Sequence, residues 1–167
     1  MKGKTPILWL LLPFLFSSGV FAEDLSFPGR SDYPDVLVYE KAQLFNDLSD
    51  VVLVDTRSQQ EYETLRIKGA VNIPVSSKDF GDRIKLLRAS TSKPIVFYCN
   101  GRTCNKSYLA GRKANHLNIE DTYAYDAGVF DWAKTHPNHV ILLGKKSDDV
   151  PADIIPPNKI QISFVGP

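Results

Sequence analysis

Pro94-Ile95-Val96-Phe97-Tyr98-Cys99-Asn100-Gly101-Arg102-Thr103-Cys104-Asn105-Lys106-Ser107 runs from an apolar tetrapeptide into a polar loop holding both cysteines of the chain. Ile95 to Tyr98 reads as a buried strand that stops at Cys99. Ser107 to Leu117 reads as a helix, with Ala110, Ala114 and Leu117 on one stripe. A thiol at the C-terminal end of a strand, facing a helix N-terminus, sits where open α/β sheets bind ligands. The first N–H groups of that helix have no partner inside it and can hold an anion. The same field favours thiolate over thiol, so Cys99 is expected to be a low-pKa nucleophile whose side chain leaves the core. Gly101 permits a tight turn, and Arg102 and Lys106 bring positive charge. The competing reading is a Cys99 that is only a small buried apolar residue.

Working outward, Val51 to Val54 is an unbroken aliphatic run, as in a strand covered on both faces. Asp55, Thr56 and Arg57 follow at its C-terminal end. Ser58 and Glu61 have the spacing of a capping box that opens a helix. Asp55, Arg57 and Glu61 are read as structural support: a loop hydrogen-bond network and an ion pair. Further strands are expected at 36–39, 70–73, 122–125 and 140–143, and helices at 40–48, 80–87 and 129–135. Strands and helices alternate, so the chain reads as α/β, with a mostly parallel sheet and helices on both faces.

The ends read differently. Lys2 and Lys4 precede an apolar run from Ile7 to Phe16, and Val20 and Ala22 stand at the small-residue positions before a cut. That is the layout of a signal peptide over 1–22, cleaved after Ala22, and it implies a periplasmic or secreted protein. The apolar run is short for a membrane span, so no membrane association is expected once the leader is removed. Residues 23–34 read as a linker or irregular N-terminal arm, 35–137 as one domain, and 138–167 as a C-terminal extension. In the extension, 159–165 alternates like an edge strand, which could pair with 140–143 as a short hairpin. Loss of the leader removes two lysines and no acidic residue, taking the formal charge from +1 to −1. A near-neutral chain offers no electrostatic case for nucleic acid. His116, His136 and His139 do not join the cysteines at metal-ligand spacing, so no metal and no cofactor are expected. Asn105 stands where a cysteine phosphatase would need arginine.

The segments Val51 to Tyr62, Ile67 to Pro74, Ile95 to Cys99 with its loop, and Ala127-Gly128 leading to Trp132 resemble the rhodanese family of sulfurtransferases. The resemblance covers 36–137. It implies a single rhodanese-like domain with a central five-stranded sheet, a Cys99 that carries sulfur as a persulfide, and a loop whose backbone amides form the cradle. Asp55 and Arg57 are then supporting residues. The chain departs from the usual pattern where Lys106-Ser107 stands for Arg-Ser, Leu65-Arg66 for Gly-His, and Ala127-Gly128 for paired glycines.

On that resemblance, the Cys99 thiolate takes the outer sulfur of an anionic donor such as thiosulfate and passes it to a thiol acceptor. Asn100, Gly101, Arg102, Thr103, Cys104 and Lys106 would bind the donor, chiefly through backbone amides. Three roles are open for Cys104: a passive pocket residue, a structural disulfide with Cys99, or a resolving partner that forms a reversible disulfide. Two other functions compete: a thiol–disulfide redox protein using Cys99 and Cys104, and a non-catalytic binding module. The oligomeric state is not legible.

Overall fold

The structure, a computed structural model, describes residues 27–142. The leader, the cleavage site and the strand read over 159–165 lie outside the described residues.

Five parallel strands form one sheet in the order β1-β6-β5-β2-β4. They are β1 (Leu37–Val38), β2 (Val52–Asp55), β4 (Val71–Asn72), β5 (Ile95–Tyr98) and β6 (Thr122–Tyr125). The most apolar strand is central: all four residues of β5 are buried. It pairs with β2 on one side (Val52 opposite Ile95) and β6 on the other (Ile95 opposite Thr122).

Successive β5 side chains point to opposite faces, as a pleated strand requires. Val96 and Tyr98 pack with Leu44 of α2 (Lys41–Asn46) and with Val129 and Trp132 of α6 (Gly128–Thr135). Ile95 and Phe97 pack on the other face with Ile84 and Leu87 of α4 (Phe80–Ser90) and with Ala110 and Ala114 of α5 (Lys106–His116). The small residues of α5 let it lie close to the sheet. Gly111 has the same role, because a Cβ there would meet a Val36 methyl at 2.6 Å.

A second, two-stranded sheet escaped the sequence reading. β3 (Leu65–Ile67) follows α3 (Gln59–Thr64) and pairs antiparallel with β7 (Val140–Leu142). The strand read near Val140 therefore has Leu65–Ile67 as its partner. The buried Tyr98 hydroxyl accepts a hydrogen bond from the Ile67 N–H at 3.2 Å, tying this sheet to the core.

The arm expected to be irregular is instead ordered from Gly29 onward. One helical turn, α1 (Gly29–Asp32), lies on the face of Tyr108, where a Cβ on Gly29 would meet the ring at 2.3 Å. Arg30 reaches the buried Asp126 at 2.8 Å, Tyr33 stacks on Tyr108 at 5.4 Å, and Arg112 pairs with Asp35 at 2.7 Å. Each contact joins residues more than 70 positions apart, so local pattern carries no sign of it.

Candidate active site

The parallel sheet brings the C-terminal ends of β2, β5 and β6 to one edge, and Cys99 leaves β5 there. The loop after it turns at once: the Cys104 N–H donates to the Gly101 carbonyl at 2.8 Å. This curl folds Cys104 back over Cys99. The Cys99 thiol donates to the Cys104 carbonyl oxygen at 3.1 Å and lies 3.7 Å from the Ser107 hydroxyl. The two cysteines are not bonded to each other.

The outer wall of the loop is held by the N-terminus of α6. Val129 N–H donates to the Cys99 carbonyl at 2.9 Å and Phe130 N–H to the Asn100 carbonyl at 3.2 Å. With those carbonyls turned outward, amides of the loop are left to face its interior. The approach depends on Gly128, whose φ of +70° suits glycine, and where a Cβ would meet Asn100 and Gly101 backbone atoms at 2.5 Å. The Ala-Gly dipeptide was legible in the sequence, but not what its glycine touches.

The floor is the Asp55–Arg57 pair, 0% and 2% exposed. Arg57 Nη2 meets Asp55 Oδ2 at 2.6 Å and Nε meets Oδ1 at 3.0 Å. Its remaining donors reach the Leu65 carbonyl at 2.5 Å and the Asn100 side-chain oxygen at 3.1 Å. A buried ion pair is tolerated when its other hydrogen-bonding groups are satisfied, as here. The capping box is present, with Glu61 N–H on the Ser58 hydroxyl and the Ser58 N–H on Glu61 Oε2. Glu61 then extends to the loop, accepting from Asn100 Nδ2 at 3.2 Å and lying 3.8 Å from Lys106 Nζ. Burial would raise the Glu61 carboxyl, but Ser58, Asn100 and Lys106 outweigh it and hold it at about 2.

The charge state of the thiols corrects the sequence reading. Cys99 is fully buried, and its thiol is pushed up, first by its hydrogen bond with Cys104 and then by burial. The sulfur that ionises is Cys104, half-buried and pulled down to about 6. The hydrogen bond from Cys99 is the main cause; against the cost of burial, the N–H groups of Lys106 and Asn100 and the Lys106 charge add to it. The field of the loop and helix does favour a thiolate, as the sequence suggested, but a second sulfur stands in it. The Cys104 sulfur occupies the amide cradle, and Cys99 behind it keeps the shared proton.

Other expected loop residues divide. Arg102 and Thr103 are exposed, and among the described residues Arg102 has no hydrogen-bond or ion-pair partner. Gly101 supplies the turn carbonyl, and the Cys104 N–H is spent on that turn, so it is not a cradle donor. Ser107, which the sequence places at the start of a helix and in the family's Arg-Ser position, is buried beside Cys99. His136 stacks between Phe45 and Trp132, at 4.3 and 4.4 Å, away from the cysteines. Among the described residues no cluster of His, Cys, Asp and Glu has the makings of a metal site.

Residues 38–135 match the family model described as Rhodanese-like domain. The chain is similar, at 34% identity over 86 residues, to the HTH-type transcriptional regulator Rv0324 of Mycobacterium tuberculosis, covering 52% of this chain and 36% of that protein. It is similar, at 32% identity over 111 residues, to the tRNA uridine(34) hydroxylase of Erwinia tasmaniensis, covering 62% and 30%. The chain thus spans about a third of the length of these relatives. Among solved structures it resembles the BH2092 protein from Bacillus halodurans (TM-score 0.54, 25% identity, 69% of this chain and 83% of that one). It shares its fold with a thiosulfate sulfurtransferase from Pseudomonas aeruginosa (TM-score 0.55, 19% identity, 64% and 20%).

Proposed function

The chain belongs to the rhodanese-like domain family, and from that premise we propose that it is a sulfurtransferase working through a Cys99 persulfide. One observation supports the reading above the rest: an ionisable sulfur is held against Cys99 inside a loop whose amides face inward. At neutral pH the pair carries one negative charge and one proton. When the proton moves from Cys99 to Cys104, Cys99 becomes the nucleophile, activated by an adjacent base. It attacks the outer sulfur of thiosulfate or a similar small anion; the donor's S–S bond breaks and sulfite leaves with the electron pair. The outer sulfur then remains on Cys99 as a persulfide, beside Cys104. A thiol acceptor takes it from there. Arg102, exposed at the rim and without a partner among the described residues, is the cation suited to steer an anionic donor.

The test is intact mass after the reduced protein meets thiosulfate. Wild type is expected to release sulfite, and Cys99→Ser to release none and gain no mass. Sulfite release by Cys99→Ser would overturn the role of Cys99.

Export belongs to the same proposal. Its support is the sequence of 1–22 alone, and a mature protein beginning at Glu23 in the periplasm or medium is the expected result.

A further inference from the structure

The Cys99–Cys104 pair also points past transfer, to the fate of the sulfur. We infer that Cys104 resolves the Cys99 persulfide within the loop, so that the chain reductively cleaves its donor and releases hydrosulfide. This rests on the sulfurtransferase reading above.

The geometry carries it. The turn closed by Cys104 N–H on the Gly101 carbonyl, at 2.8 Å, brings Cys104 back over the end of β5. The Cys99 sulfur lies 3.1 Å from the Cys104 carbonyl oxygen, so the two cysteines of the loop are in direct contact. No other described thiol is present, because the chain has two cysteines. Cys104 is half-buried while Cys99 is fully buried, so Cys104 is the first sulfur that an exchange partner meets. An acceptor from solvent must reach past Cys104 to the persulfide. Cys104 lies in the same loop, and such intramolecular attack carries a large effective concentration. With Cys99 Sγ no longer a donor, the Lys106 and Asn100 N–H groups and the Lys106 charge remain to favour the attacking thiolate.

After sulfite has left, Cys99 carries one extra sulfur. The Cys104 thiolate attacks Cys99 Sγ, the inner sulfur. A Cys99–Cys104 bond forms, and the bond between Cys99 Sγ and the outer sulfur breaks. The outer sulfur leaves with that electron pair and takes up a proton as hydrosulfide. The two cysteines together give up two electrons, and the sulfane sulfur gains two. A dithiol of the thiol–disulfide exchange class then reduces the loop disulfide and is itself oxidised. Cys104 thereby sets the product: hydrosulfide where it attacks first, a transferred sulfur where an external thiol does.

A single-turnover experiment tests this. Reduced, desalted wild type and Cys104→Ser are each mixed with excess thiosulfate and no added thiol. Sulfite, hydrosulfide and intact mass are then measured. Wild type is expected to release sulfite and hydrosulfide in equal amounts and to end two hydrogens lighter. A Cys99–Cys104 crosslinked peptide should appear in step with the hydrosulfide. Cys104→Ser, which also lacks the base that activates Cys99, is expected to release sulfite more slowly, to hold one extra sulfur at the end point and to produce no hydrosulfide. A wild type that keeps the extra sulfur, or hydrosulfide that appears without the crosslink, overturns the inference while sulfite release leaves the transfer reading standing. Equal hydrosulfide from Cys104→Ser overturns it too. Absence of sulfite from wild type overturns the transfer reading and this inference together.

Discussion

Arg57 Nη1 donates to the side-chain oxygen of Asn100 at 3.1 Å, which ties the buried ion pair at the end of β2 to the first residue after Cys99. The loop is thus anchored from below by Arg57 and from behind by α6. Loop shape and core stability are coupled through a single guanidinium.

Truncating Arg57 strands Asp55 as an unpaired buried carboxylate. Arg57→Ala is expected to cost about 3–5 kcal/mol of stability, read by urea unfolding. Asn100→Ala removes only one hydrogen-bonding side chain and is expected to cost about 1 kcal/mol. Its larger effect should fall on sulfite release. An Arg57→Ala protein as stable as wild type would show that the pair is not what supports the loop floor.

Gly128→Ala places a Cβ against the Asn100 and Gly101 backbone at a positive φ. Backbone strain of this kind costs about 1–3 kcal/mol. Because the clash is with the loop itself, single-turnover sulfite release should fall by at least about tenfold, using the conversion of 1.4 kcal/mol per decade. Gly69→Ala makes a useful control: it too has positive φ, but no atom lies within 4 Å of its Cβ position. It should lose stability without losing transfer.

The thiol pair makes stability depend on pH in a defined direction. Cys104 is depressed from 9.0 to about 6, so its contribution is complete above pH 9 and is lost as pH falls toward 6. Cys99 is raised above 9.0, so the folded state keeps a proton that the unfolded chain has lost, and stability falls again above pH 9. The reduced protein should therefore be most stable near pH 9, measured by thermal unfolding across pH. Thiolate absorbance should show one ionisation near 6 in wild type, and that step should vanish in Cys104→Ser. An unchanged step in that variant would contradict the sharing of a proton by the two sulfurs.

Glu61 offsets part of the positive charge at the loop mouth. Glu61→Gln keeps a residue able to close the capping box and releases Lys106 from its partner at 3.8 Å. Exposed pairs contribute under about 1 kcal/mol, so stability should change little. The KM for thiosulfate should fall by roughly two- to fivefold, most clearly at low salt. A KM that rises, or one insensitive to ionic strength, would count against Lys106 as a donor-binding cation.

Periodicity and punctuation in the sequence determined the architecture. Buried strands at 52–55 and 95–98 are continuous apolar runs, the amphipathic and small-residue stripes of α4 and α5 face them, and Ser58 with Glu61 opens α3. These signals are local, because a helix or strand is specified by residues within a few positions of one another. The sequence also located the cysteine loop at the sheet's C-terminal edge, since strand, cysteine, glycine and helix follow in order.

What the tertiary structure decided is which atoms meet. β3 and β7, the docking of Arg30 on Asp126, the grip of Arg57 on Asn100, and the approach of Gly128 to Gly101 all join distant positions. The charge state of Cys99 belongs to this class. The order of residues placed it in a field that favours thiolate, but protonation depends on the nearest partner and on burial, and both are set only when the loop curls. Cys104, five positions on, then takes the charge and leaves Cys99 the proton.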